Sequence, residues 1–106
     1  MRTDASGRLR FPQPVAGRMF VYVIACHEFI KIGIAANPRT RLAGLQTGNP
    51  YRMKLLKTWV TDSPVIDEET LHETLEHCRI SGEWFKPTKA ELAALLALDS
   101  VAAPRD

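Results

Sequence analysis

At 106 residues the chain has room for one domain with a real core and not for two. Its 45% apolar and 25% charged residues are those of an ordinary globular protein, which excludes disorder throughout. The formal net charge is only +2, no apolar run approaches the about 18 residues of a membrane span, and the start "MRTDASGRLRFPQPVAGR" lacks the apolar core of a secretory signal, so a cytoplasmic location is expected.

Residues 1–18, rich in arginine, glycine and proline, read as a flexible basic arm ahead of a single domain over 19–98. "MFVYVIA" (19–25) is nearly all apolar with β-branched and aromatic residues, the pattern of a strand buried on both faces. A turn at 26–28 returns the chain into a second strand over 29–34, making a hairpin. Asn37-Pro38 gives a cap and a first helical position for a helix to about Gln46, with Leu42 and Leu45 as its buried stripe. Gly48 and Pro50 stop it. "MKLLKTWV" (53–60) reads as a third strand, and Ser63-Pro64 starts a second helix carrying Leu71, Leu75 and Cys78 at helical spacing. "EWFKP" is a short extended piece, and Thr88 with Glu91 forms a capping-box pattern before the helix "KAELAALLAL". Residues 99–106 are expected to fray.

The small net charge hides an asymmetry. Up to Thr61 the basic residues Arg2, Arg8, Arg10, Arg18, Lys31, Arg39, Arg41, Arg52, Lys54 and Lys57 face only Asp4 and Glu28, whereas the acids dominate from Asp62 onward. One side of the molecule is therefore suited to a polyanion. Cys26-His27 and His77-Cys78 invite a zinc reading, but neighbours on a strand point to opposite faces, so one pair would have to supply both ligands from a turn; reduced thiols are the default. "HETLEH" is not a zinc-protease motif: His72 and His77 are five apart, about 140° around a helix, where HExxH needs four.

The lysine inside "FIKIGI" is the unusual feature. If the hairpin turn is even, Cys26 pairs with Phe29 and Tyr22 lies opposite Gly33, so that Tyr22 and Lys31 are diagonal neighbours on one face with a hollow at the glycine. An odd turn would break this geometry. A cation beside a phenol favours its phenolate and so its use as a base. The plainer alternative is a strand aromatic with its hydroxyl bonded and a lysine reaching out to water.

These residues resemble the GIY-YIG nuclease superfamily. "FVY" (Phe20, Val21, Tyr22) is similar to its first triad, "KIG" (Lys31, Ile32, Gly33) to its second, Arg41 in "NPRTRLAGLQ" to its arginine and Glu83 in "GEWF" to its metal-binding glutamate. Phe20 replaces the first glycine and Lys31 the second tyrosine, as in the phage-type branch carrying K-I-G and G-E-W-F; Leu45 stands where many members have a histidine. The resemblance implies an α/β (α+β) fold, a small, mostly antiparallel three-stranded sheet flanked by helices. It also implies hydrolysis of DNA phosphodiesters with one Mg²⁺ or Mn²⁺ held by Glu83. Tyr22 would be the general base, Lys31 would lower its pKa or orient the water, and Arg41 would grip the phosphate. His72 is then a water-positioning candidate, and Arg39, Gln46 and Asn49 are candidates for DNA contact, although Gln46 and Asn49 equally serve to close a loop.

The expected function is a metal-dependent DNA endonuclease; the alternative is a nucleic-acid-binding module that has kept the fold and lost turnover. A third reading makes the face of Leu92, Leu95 and Leu96 a partner surface. One such site cuts one strand, so a double-strand break calls for a homodimer, a second encounter or a separate DNA-targeting partner.

Overall fold

The computed structural model describes residues 18–101. Residues 1–17 of the expected arm and 102–106 of the expected tail lie outside them. Strands β1 (Met19–Cys26) and β2 (Phe29–Ala35) form the hairpin, followed by helix α1 (Pro38–Gln46), β3 (Lys54–Thr61), α2 (Pro64–Thr74), β4 (Arg79–Ser81), β5 (Trp84–Phe85) and α3 (Lys89–Leu96). The strands make one antiparallel sheet in the order β3-β1-β2-β5-β4, so β3 and β4 are its edges.

The hairpin has the even register. Cys26 pairs with Phe29, Tyr22 with Gly33 and Ile24 with Lys31, and His27 takes the left-handed conformation (φ 58°) that lets a two-residue turn match the twist of the strands. β1 is central and buried on both faces. Val21 and Val23 look to one side, where they meet Ile30, Ile32, Trp59, Phe85 and the helix residues Leu71, Leu75 and Leu95. Tyr22 and Ile24 look to the other, where Leu42 and Leu45 of α1 cover them with Met53 and Trp84. The sheet is thus sandwiched between α1 and the α2/α3 pair, and an uninterrupted apolar strand is what two covered faces require.

Helix ends follow their sequence signals in two cases of three. Asn37 Oδ1 accepts from Thr40 N–H (3.2 Å) with Pro38 at the first position. Thr88 and Glu91 form the reciprocal capping box, at 3.1 and 2.8 Å. At α2, Ser63 occupies the cap without a side-chain bond; its N–H instead donates to Thr61 Oγ1 (2.9 Å), which in turn hydrogen-bonds Asp67. α3 is fastened to β3 at its far end, where Lys57 Nζ donates to Leu96 O (2.9 Å) and Trp59 Nε1 to Leu98 O (3.0 Å).

Three expectations are corrected. The sheet has five strands and not three, because β4 and β5 are only three and two residues long, too short to carry a periodic pattern, and are held by backbone pairing around Gly82 (φ +55°). α2 stops at Thr74 and not near Cys78: the segment Glu76–Cys78 tightens into a 3₁₀ turn, with Cys78 N–H on Leu75 O (2.9 Å), that swings the chain into β4. The leucines of α3 are core and not a partner surface, with Leu95 buried and Leu92 packed beside it. Of the tail, Val101 is buried against the same cluster.

Thr88→Ala removes one half of the capping box and should cost about 1 kcal/mol, read as a Tm lowered by a few degrees. The Thr88 N–H and then His77 hold the Glu91 carboxyl below the usual range. Its contribution is therefore complete above the unfolded carboxylate pKa and lost as pH falls through the lower folded value. Glu91→Gln should flatten that acid limb in urea denaturation between pH 7 and 3.

Candidate nuclease-type site

The register of the hairpin places a glycine against the ring of Tyr22, and this is what lets the phenol tip pack onto β2. A Cβ on Gly33 would lie 2.5 Å from Tyr22 Oη, 2.7 Å from Cζ and 3.1 Å from Glu83 Oε1. The phenol tip and the Glu83 carboxylate thus both border the space that a side chain at position 33 would fill. Lys31, two residues back on the same face, sends Nζ to Glu83 Oε1 at 2.9 Å and stands 5.8 Å over the Trp84 ring. Lys31 is 15% exposed and Glu83 39%, so the carboxylate is the part of the pair open to solvent.

Tyr22 is wholly buried, and among the described residues its hydroxyl has no hydrogen-bond partner. Burial pushes its pKa above the ordinary value. Lys31 and then Arg41 pull it back, Glu83 adds to the upward push, and the net direction is up. Lys31 therefore acts on Tyr22 in the direction expected from the sequence, but desolvation outweighs it. Arg41, exposed on the first turns of α1, brings its guanidinium toward the phenol without meeting hydrogen-bond geometry. Tyr22, Lys31, Arg41 and Glu83 are accordingly gathered at one pocket.

The other candidates separate. β5 pairs only with Ile30 and Lys31, and past that point the outer edge of β2 is taken by two other groups. Ile32 N–H donates to Glu83 O (3.1 Å), and Ile32 O meets His72 Nε2 (2.9 Å), whose ring tilts against Phe85 (5.2 Å). His72 is thus a strut between α2 and β2, with Nε2 committed to the backbone. Gln46 and Asn49 close a loop: Gln46 Nε2 donates to Asn49 O and Tyr51 O, Gln46 Oε1 accepts from Met53 N–H, and Asn49 Oδ1 accepts from Tyr51 N–H. Their polar groups are spent on the chain itself, and the loop-closing alternative is the one found. Arg39 is exposed on α1.

One residue of the pocket was missed. Glu68 lies on α2 one turn before His72, close enough to Glu83 for the two carboxylates to repel each other. Burial and the Glu83 charge push its pKa up, and His72 and Lys31 oppose. The signal in the sequence was the four-residue spacing from His72, which puts both on one helix face. The zinc reading for His77-Cys78 gains a third group in Glu91, with ligand atoms within 4.8 Å of one another. Glu91 is already held by Thr88 N–H and His77, and the Cys78 thiol donates to Leu75 O (3.2 Å), so each group has a structural duty.

Fold and site together define a small α+β domain built on one antiparallel sheet. The T5orf172 domain is the family model that matches, over residues 19–98, and the chain belongs to that family. This corrects the expected GIY-YIG membership, since no model of that name matches. The resemblance rested on two triads of three residues, each departing from its pattern at one position, Phe20 and Lys31, together with Arg41 and Glu83. The family is nuclease-like and DNA-binding, in keeping with a nucleic-acid-related function. No curated protein and no solved structure matches the chain. Among the described residues no helix is long and apolar enough to cross a membrane.

Because Tyr22 Oη is buried without a partner, Tyr22→Phe should leave the fold at least as stable, raised by up to about 1 kcal/mol in urea denaturation. Gly33→Ala drives a methyl into the buried ring and should cost about 1 to 3 kcal/mol. A marked loss of stability in Tyr22→Phe would mean that the hydroxyl is bonded after all.

Proposed function

We propose that the chain is a metal-dependent DNA endonuclease that hydrolyses phosphodiester bonds at the pocket of Tyr22, Lys31, Arg41 and Glu83. The observation that carries this reading is the Tyr22 hydroxyl, buried, without a partner among the described residues, and packed over Gly33 beside the Glu83 carboxylate. A buried polar atom without a partner costs stability, so its retention fits a group kept for a ligand or a reacting water.

The donor set fits a hard divalent cation such as Mg²⁺ or Mn²⁺: Glu83 offers carboxylate oxygen at a partly open position, where water and phosphate can complete the shell. Such a cation would polarise the phosphate and cancel the Glu83 field that now raises the Tyr22 pKa. Tyr22 orients the attacking water and accepts its proton. Lys31, held by Glu83, sets the carboxylate's position and favours the phenolate. Arg41 is free on its exposed side to take a nonbridging phosphate oxygen as charge accumulates there, a role typically worth about 3 to 4 kcal/mol. Arg39 and the basic first half of the chain supply the backbone contacts whose counterion release drives binding. His72 keeps α2 and β2 at a fixed separation behind the site.

The net upward shift of Tyr22 favours one competing reading, a DNA-binding module without turnover. A supercoiled plasmid decides between them. Nicking should appear with Mg²⁺ or Mn²⁺ and stop with chelator. It should fall by about 100-fold or more in Tyr22→Phe and by about 100- to 1000-fold in Arg41→Ala, and vanish in Glu83→Gln. Nicking that survives chelator or Glu83→Gln overturns the proposal, and salt-sensitive DNA binding with no nicking establishes the module.

A further inference from the structure

The α2 carboxylate that faces Glu83 is not used by the mechanism above. Two bonds at one residue bring it there: Ile32 N–H takes the Glu83 carbonyl and Ile32 O takes His72, so the Glu83 turn and the His72 turn of α2 are pinned to the same peptide position on the edge of β2. Glu68, four residues before His72, shares its helix face and reaches the same edge. Leu71 and Leu75 lie buried in the core, which fixes how α2 is rotated.

The groups facing this carboxylate are Glu83, His72 and Lys31. Lys31 is bonded to Glu83, so a single ammonium serves two carboxylates and one negative charge is left over. The nearby Tyr22 hydroxyl, wholly buried and unpartnered, is a second and independent sign that the cluster is arranged for something besides its own side chains.

We propose that Glu68 and Glu83 together chelate one divalent cation, so that α2 supplies half of the protein's ligands and the hairpin edge supplies the other half. The inference rests on the reading of the pocket as a metal-dependent site. Mg²⁺ and Mn²⁺ are commonly held by one or two carboxylates with water and phosphate completing the shell, and at metal–oxygen distances of about 2.1 Å two adjacent ligand oxygens sit about 3 Å apart. Two carboxylates brought to one edge of β2 by the Ile32 bonds can reach that spacing by side-chain rotation.

Titration of the full-length chain with MnCl₂, by calorimetry and by loss of the free-Mn²⁺ paramagnetic resonance signal, tests this without recourse to cleavage. The wild type should bind one ion. Glu68→Gln and Glu83→Gln should each weaken binding at least tenfold, Glu68→Asp should retain most of it, and metal-free Glu68→Gln should melt no lower than the wild type because a like-charge repulsion is gone. Wild-type affinity in Glu68→Gln with loss in Glu83→Gln overturns the two-carboxylate site and leaves the metal-dependent reading standing. Weakened binding with a lowered metal-free Tm also overturns it, since Glu68 would then act through the fold. A wild type that binds no Mn²⁺ and nicks no plasmid sinks both.

Discussion

Everything at the pocket depends on the pairing of Tyr22 with Gly33 across the β1/β2 hairpin. Because side chains alternate along a strand, a slip of one residue would turn Tyr22 and Lys31 onto opposite faces. The two-residue turn with His27 in the left-handed conformation prevents that slip, and the apolar residues buried on both faces of β1 enforce it from either side. A larger residue than glycine would drive the phenol away from the carboxylate. The site is thus a property of backbone register first and of side-chain chemistry second.

The electrostatics are a balance and not a single attraction. Burial holds Tyr22 neutral, while an ammonium and a guanidinium draw it the other way. Glu83 both anchors Lys31 and works against the phenolate. Whatever neutralises that carboxylate removes one of the upward pushes on the tyrosine.

Local and periodic signals made most of this legible. The buried β1, the Asn37-Pro38 start, the Thr88/Glu91 box and the even hairpin register were all readable, because each is written in residues close along the chain. The gathering of Tyr22, Lys31, Arg41 and Glu83 followed from pattern resemblance, though the family that matches carries a different name. What escaped was non-local. Glu68 reaches the pocket only because Ile32 pins α2 beside the Glu83 turn, an arrangement of residues far apart in the chain. β4 and β5 owe their strand character to pairing alone, and Gln46 finds three backbone partners that no spacing announces.

The margin of the sheet has a bearing on solution behaviour. β3 is its longest edge strand, and its outward row of amides and carbonyls is a template on which another chain could stack. Lys54 and Lys57 interrupt it, and Lys57 is tethered to the end of α3 so that its ammonium cannot swing clear. Intermolecular stacking there would have to strip water from positive charge held in place, which guards this flank against fibre-like growth.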